Sequence, residues 1–189
     1  MIRLPESRLY GSVLITALLF WLGGSALAVS IITRTDIAPF YSVSEIMTAK
    51  RGAGLPTEVH GAPSESATLE SILAPLRLPS RVGGGDLVPY EPGRRAVTRM
   101  VLLFNPDILS ARTACRDPAA TGARRMGGRL EVFAVLCHGR RWFSQAHLRD
   151  GAVTAETDTG YAGSMMQLFL ALMPSRDEVE RDSGDNGRD

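Results

Sequence analysis

RLEVFAVLCHGRRWFSQAHL, residues 129–148, reads as two strands around a tight turn. From Arg129 to Cys137 the side chains alternate, with Leu130, Val132, Ala134 and Leu136 on one side and Glu131, Phe133 and Val135 on the other. His138-Gly139-Arg140 supplies the turn. Arg141 to Leu148 then returns with Trp142, Ser144, Ala146 and Leu148 on one face, and Asp150-Gly151 marks the next turn.

Working outward, residues 96–104 form a dense apolar strand, Val97 and Met100 to Phe104, stopped by Asn105-Pro106. So dense a run belongs at the centre of a sheet. The stretch between the two strands, with Cys115, Pro118 and the basic Arg124 to Gly128, reads as a loop. After the hairpin, Met165, Leu168, Phe169 and Leu172 share a stripe, which predicts a helix over 161–173 ended by Pro174.

Earlier in the chain, Ser42 or Ser44 caps a short helix over 42–48 that Gly52 and Gly54 end. Thr57 to His60 is a brief extended piece, and Gly61-Ala62-Pro63 breaks the chain. Ser64 or Ser66 then caps a helix through Leu76, striped by Leu69, Ile72, Leu73 and Leu76. Residues 79–93, with Gly83-Gly84-Gly85 and Pro89, read as loop or linker. The expected fold class is therefore α+β: three to four mainly antiparallel strands backed by two to three helices, preceded by an N-terminal transmembrane or signal helix. The divisions are 1–33 for that leader, 34–95 for a helical and linker region packing on the core, 96–174 for the α+β core, and 175–189 for an acidic tail expected to be disordered.

The leader runs uncharged from Leu9 to Thr33 behind Arg3 and Arg8. Two readings fit it. Ala26 and Ala28 make an A-x-A cleavage site after an apolar centre at residues 13–22, as in a signal peptide. Alternatively, Ser30, Ile31 and Ile32 prolong the run to a length that crosses a ~30 Å hydrocarbon core. Either way the domain is expected in the bacterial envelope: on the inner membrane facing the periplasm, or soluble in the periplasm after cleavage at Ala28. Cys115 and Cys137 are the only cysteines, and an even pair on the exported side favours a disulfide over two reduced buried thiols. A catalytic thiol at Cys137 is disfavoured, because His138 beside it on a strand points to the other face.

The Gly61-Ala62-Pro63 turn before a helix, the Val101-Leu102-Leu103-Phe104-Asn105-Pro106 strand, and Cys115 with the Leu136-Cys137 strand together resemble a family of small exported bacterial envelope proteins of no assigned function. The closing helix Met166 to Pro174 fits the pattern. The resemblance implies an envelope location and a paired-cysteine domain, and brings no catalytic residues. Many such proteins are lipid-anchored, and this chain departs from them in lacking a leader cysteine.

Residues 94–149 hold eleven arginines against Asp107, Asp117 and Glu131, a formal +8 that the rest of the chain reduces to a total of +1. Arg124, Arg125, Arg140, Arg141 and Trp142 are the candidates for contact with an anionic surface, although a solvated basic face partly neutralised by the acidic tail is the favoured reading of this charge. A nucleic-acid partner is not expected on the exported side. His60, His138 and His147 lie in no metal-binding spacing, Ser144 and Ser164 lack a G-x-S-x-G setting, and the glycine runs lack a phosphate loop's Lys and Ser/Thr. Neither a cofactor nor a metal is expected. These signs favour a non-catalytic envelope protein, an accessory or binding module for a membrane or envelope partner. The alternative is a small periplasmic enzyme or ligand-binding protein with its site under loop 106–129, marked by a defined pocket with His138 or His147 beside a carboxylate.

Overall fold

The computed structural model describes residues 30–50, 54–93, 98–124 and 127–175. The apolar runs around the hairpin form the middle of the sheet. β4 (Thr98–Phe104) is buried along its whole length and β5 (Leu130–His138) along all but His138. They pair antiparallel from Thr98 opposite His138 to Phe104 opposite Val132, and β5 pairs antiparallel with β6 (Arg141–Asp150). Strands buried on both faces need cover on both, and the alternation of β5 divides it. Leu130, Val132, Ala134 and Leu136 enter the larger core, while Phe133, Val135 and Cys137 enter a smaller one.

The sheet is larger and more mixed than the sequence suggests. It has six strands in the order β1-β6-β5-β4-β2-β3. β1 and β3 come from stretches read as leader end and linker, and β2 lengthens the brief extended piece at Thr57 to His60. β1 (Ile31–Ile37) pairs antiparallel with β6, so Ile31 and Ile32 belong to the folded domain rather than to a membrane run. β2 (Leu55–His60) lies parallel to β4, and β3 (Leu87–Pro89) lies parallel to β2. β3 escapes notice because three residues closing on a proline carry no periodicity. The rest of the stretch expected to be a leader, residues 1–29, and the tail after residue 175 lie outside the described residues. Among the described residues no helix is long and apolar enough to cross a membrane.

Four α-helices cover the faces. α1 (Val43–Ala49), α2 (Leu69–Leu73) and α4 (Tyr161–Leu172) bury Ile46, Ile72, Leu73, Tyr161, Met165, Leu168, Phe169 and Leu172 in the larger core. α2 is shorter than its stripe implies. Thr68, not Ser64 or Ser66, caps it through a reciprocal box with Ser71, and Leu69 stays exposed. Ser64 and Ser71 instead donate to the buried Glu156 at 2.8 and 3.2 Å. The expected loop after β4 contains α3 (Ala111–Arg116), capped by Ser110, which covers the smaller core with Ala111, Ala114 and Cys115, joined by Leu109 and Trp142.

A disulfide joins Cys115 on α3 to Cys137 on β5, with Cα atoms 5.5 Å apart. Arg99 ties the same corner together. Its guanidinium donates to Glu58 at 2.9 Å and to the carbonyls of Gly139 and Cys115 at 2.9 and 3.1 Å. One face assignment in the hairpin is corrected. A bulge sets Cys137 opposite Trp142 and Leu136 opposite Ser144, so Phe143 turns into the larger core while Trp142 packs toward α3.

Candidate anion-binding site

Glu131 is two residues before Phe133 on the face that α3 covers, yet it lies beyond the apolar cluster there. Its side chain is 5% exposed. A carboxylate so deep must be paired, and four cationic or polar partners converge on it. Arg124 Nη2 donates to its Oε1 at 2.8 Å, and Arg149 Nη2 at 3.2 Å. Arg149 is its cross-strand neighbour on β6, which explains that contact from register alone. Arg129 Nη2 stands 3.8 Å from Oε2, an ionic contact rather than a hydrogen bond.

The fourth partner is His147, 2% exposed, whose Nε2 lies 3.2 Å from Glu131 Oε1. Thr33 on β1 approaches its Nδ1 at 2.6 Å. An ionised carboxylate only accepts, so Nε2 carries the proton and Thr33 donates its hydroxyl hydrogen to Nδ1. Burial drives the His147 pKa down, with Arg149 and Arg124 adding to that and Glu131 opposing it; the net direction is below the ordinary value. For Glu131, burial pushes upward, but the Arg149 hydrogen bond and the charges of Arg149, Arg124 and His147 outweigh it and hold the carboxyl below its ordinary value. At neutral pH the pair is a carboxylate and a neutral imidazole.

Asn105 shapes the approach. It follows β4 in the left-handed region at φ 49°, which asparagine tolerates better than other side-chain-bearing residues. Its N–H donates to the Glu131 carbonyl at 3.0 Å, its Nδ2 donates to the Ala62 carbonyl at 3.2 Å, and its carbonyl accepts from the Arg124 N–H at 2.7 Å. The loop's first and last turns are thereby held together. Between them lies a cavity of about 90 Å³ lined by Asn105, Arg124, Gly127, Arg129 and Glu131, room for a few waters or one small oxyanion.

The cavity has more donors than acceptors. Three guanidiniums meet one buried carboxylate, those of Arg124 and Arg129 in the cavity lining and that of Arg149 outside it, and the half-exposed Asp107 stands 3.8 Å from Arg124. Arg124 and Arg129 side chains are 47% and 51% exposed. The Arg149 Nε is buried with no hydrogen-bond partner among the described residues. Such a site can accept an anion. Its Glu131 and His147 are engaged with each other and with fixed partners, which leaves neither poised to move a ligand proton. Among the described residues no group of three His, Cys, Asp or Glu side chains could hold a metal ion.

The five arginine and tryptophan candidates read from sequence are divided by this geometry. Arg124 is in the site, and Arg125 lies outside the described residues. Arg140 is exposed in the turn at the far end of β5, about 25 Å away along the strand. Arg141 stacks over Phe40 at 3.9 Å, and Trp142 packs half-buried toward α3. His138 stacks on Phe143 and contacts Thr98 Oγ1 at 2.9 Å, while its neighbour Cys137 is taken by the disulfide. Sequence reasoning missed Glu131, Arg129, Arg149 and Asn105, and named His147 as one of two histidines to seek beside a carboxylate. A signal was present: Glu131 shares a strand face with Phe133 and Val135, and a charge on a buried face requires a partner.

No protein-family model, curated protein or solved structure matches this chain.

Proposed function

We propose that this protein is a non-catalytic, disulfide-linked binding module of the bacterial cell envelope that takes a small anionic group beside Arg124 and Arg129, beneath loop 106–129. One observation carries the reading: an open cavity in which the guanidiniums of Arg124 and Arg129 flank a single buried carboxylate, Glu131, already ionised and held by Arg149 from outside the lining. An incoming oxyanion would relieve the excess of charge and satisfy donors that now face water. The buried disulfide supports an oxidising compartment. So does the apolar leader. Without Ile31 and Ile32 it still offers an uncharged run from Leu9 to Ser30, enough to cross a bilayer at ~1.5 Å per residue. Cleavage after Ala28 would leave two residues ahead of β1. The likeness to small exported envelope proteins rests on sequence motifs alone and agrees with this placement.

The test is titration of the purified chain with inorganic phosphate at constant ionic strength, followed by NMR or thermal shift. Two arginines around a small cavity should give a Kd of about 1 mM. The double variant Arg124→Ala/Arg129→Ala should abolish the response and Arg140→Ala/Arg141→Ala should keep it. A response equal to that of chloride, or one indifferent to Arg124 and Arg129, would refute the proposal.

A further inference from the structure

We infer that the anion this site takes is the phosphate of an anionic membrane lipid, and that the domain docks on the bilayer by the Glu131 end of its sheet; the inference rests on the anion-binding reading above. β1 begins at Ile31, immediately after the apolar leader, and Ile31 pairs with Arg149, which pairs in turn with Glu131. Adjacent strands are ~4.8 Å apart, so the chain leaves the leader within about two strand widths of the cavity. No linker intervenes, since only Val29 and Ser30 separate Ala28 from the strand. A leader held in the membrane therefore presents this end, and not the Arg140–Trp142 hairpin, to the headgroups.

Three further features of this end agree. Ile31 at the start of β1 and Ile108 in the loop after β4 are 54% and 49% exposed, two large apolar side chains among cationic ones. Arg34 on β1 donates to the carbonyl of Leu109 at 3.2 Å, which joins the first strand to that loop. Of the three acids that follow from the end of β6, Asp150 accepts from Ser164 and Glu156 from Ser64 and Ser71, both buried, so these two do not oppose an anionic surface, while Asp158 accepts from the Thr154 and Ala155 N–H groups. Arginine beside exposed apolar side chains is the composition that interfacial contact with anionic lipid requires.

Hydrogen–deuterium exchange of the full chain in lipid nanodiscs tests the orientation. Discs with about 30% phosphatidylglycerol are compared with pure phosphatidylcholine discs, with and without about 10 mM inorganic phosphate. The expected result is exchange slowed roughly threefold or more over 127–131 in the phosphatidylglycerol discs alone, lost in Arg124→Ala/Arg129→Ala, with 138–143 unchanged. The variant's β4 amides and those of β5 from Val132 on serve as the fold control, because both arginines are half-exposed. Protection of 138–143 instead, or release of a cleaved chain from the discs, overturns the inference. Protection by free phosphate with no preference for phosphatidylglycerol overturns it too, while leaving the anion site standing. Absence of protection under every condition refutes both.

Discussion

Replacing Glu131 with glutamine should move stability and anion binding in opposite directions. The carboxylate accepts from Arg124, Arg149 and His147 and faces Arg129. Charge-assisted hydrogen bonds are worth about 1.5–3 kcal/mol each. Arg124 and Arg149 are 47% and 42% exposed, so water and the remaining amide oxygen recover much of the loss. A net destabilisation of about 1–3 kcal/mol follows. The same change removes the negative charge that an incoming anion must face across the cavity. At ~5 Å and an effective dielectric between about 20 and 80, that repulsion is about 1–3 kcal/mol, or roughly five- to 150-fold in affinity. Urea unfolding gives the first quantity, and phosphate titration of the folded protein by NMR gives the second. A glutamine variant that is less stable and binds phosphate no better than the parent would refute the anion site and leave Glu131 as a structural clamp.

Other changes test the fold around the site. The double variant Cys115→Ser/Cys137→Ser opens a link spanning 22 residues and should lose about 3 kcal/mol in urea unfolding. A loss near zero would mean that Arg99 and α3 packing hold that corner unaided. His147 and Glu131 both have folded pKa values below their ordinary values of 6.5 and 4.5. The unfolded chain then binds more protons, so stability should fall as pH drops below 6.5 for the histidine and again below 4.5 for the carboxylate. His147→Asn should flatten the first part of that profile, measured as the urea midpoint against pH. Gly61→Ala places a Cβ 2.5 Å from the Phe104 carbonyl at φ +70° and should cost about 1–3 kcal/mol. Gly93→Ala meets nothing within 4 Å and should cost less, by thermal unfolding of both.

The hairpin, the two central strands and the closing helix were legible because long apolar runs with a clear period override local preference. β5 even shows its two faces. The bulge at Phe143 was not legible, since nothing in Arg141-Trp142-Phe143 distinguishes a regular strand from one with an extra residue. β1 was hidden by its own apolar start. Ile31 and Ile32 look like the end of a membrane run until β6 pairs with them. α3 was hidden by shortness, as six residues with Arg112, Thr113 and Arg116 carry no extended stripe. Of the candidate site, Arg124, loop 106–129 and His147 were each named from the sequence as candidates. The convergence of Glu131, His147 and Arg149 was not foreseen, because it comes from strand register and the reach of β1, both non-local.

The reason for a charged cluster at that place lies in the mismatch between the sheet and its cover. α3 has six residues, ~9 Å of helix, whereas β5 has nine, ~30 Å of strand. One short helix cannot cover the face, and the disulfide and Arg99 hold it against the hairpin end, over Val135 and Cys137. The opposite end is left with the loop that closes through Asn105 and Arg124. An apolar side chain at position 131 would meet solvent there. A carboxylate held by arginines from the loop and from β6 closes the face with polar groups instead, and leaves the outer sides of Arg124 and Arg129 in water. The fold therefore places its open, donor-rich cavity where α3 ends, at the same sheet end where β1 begins.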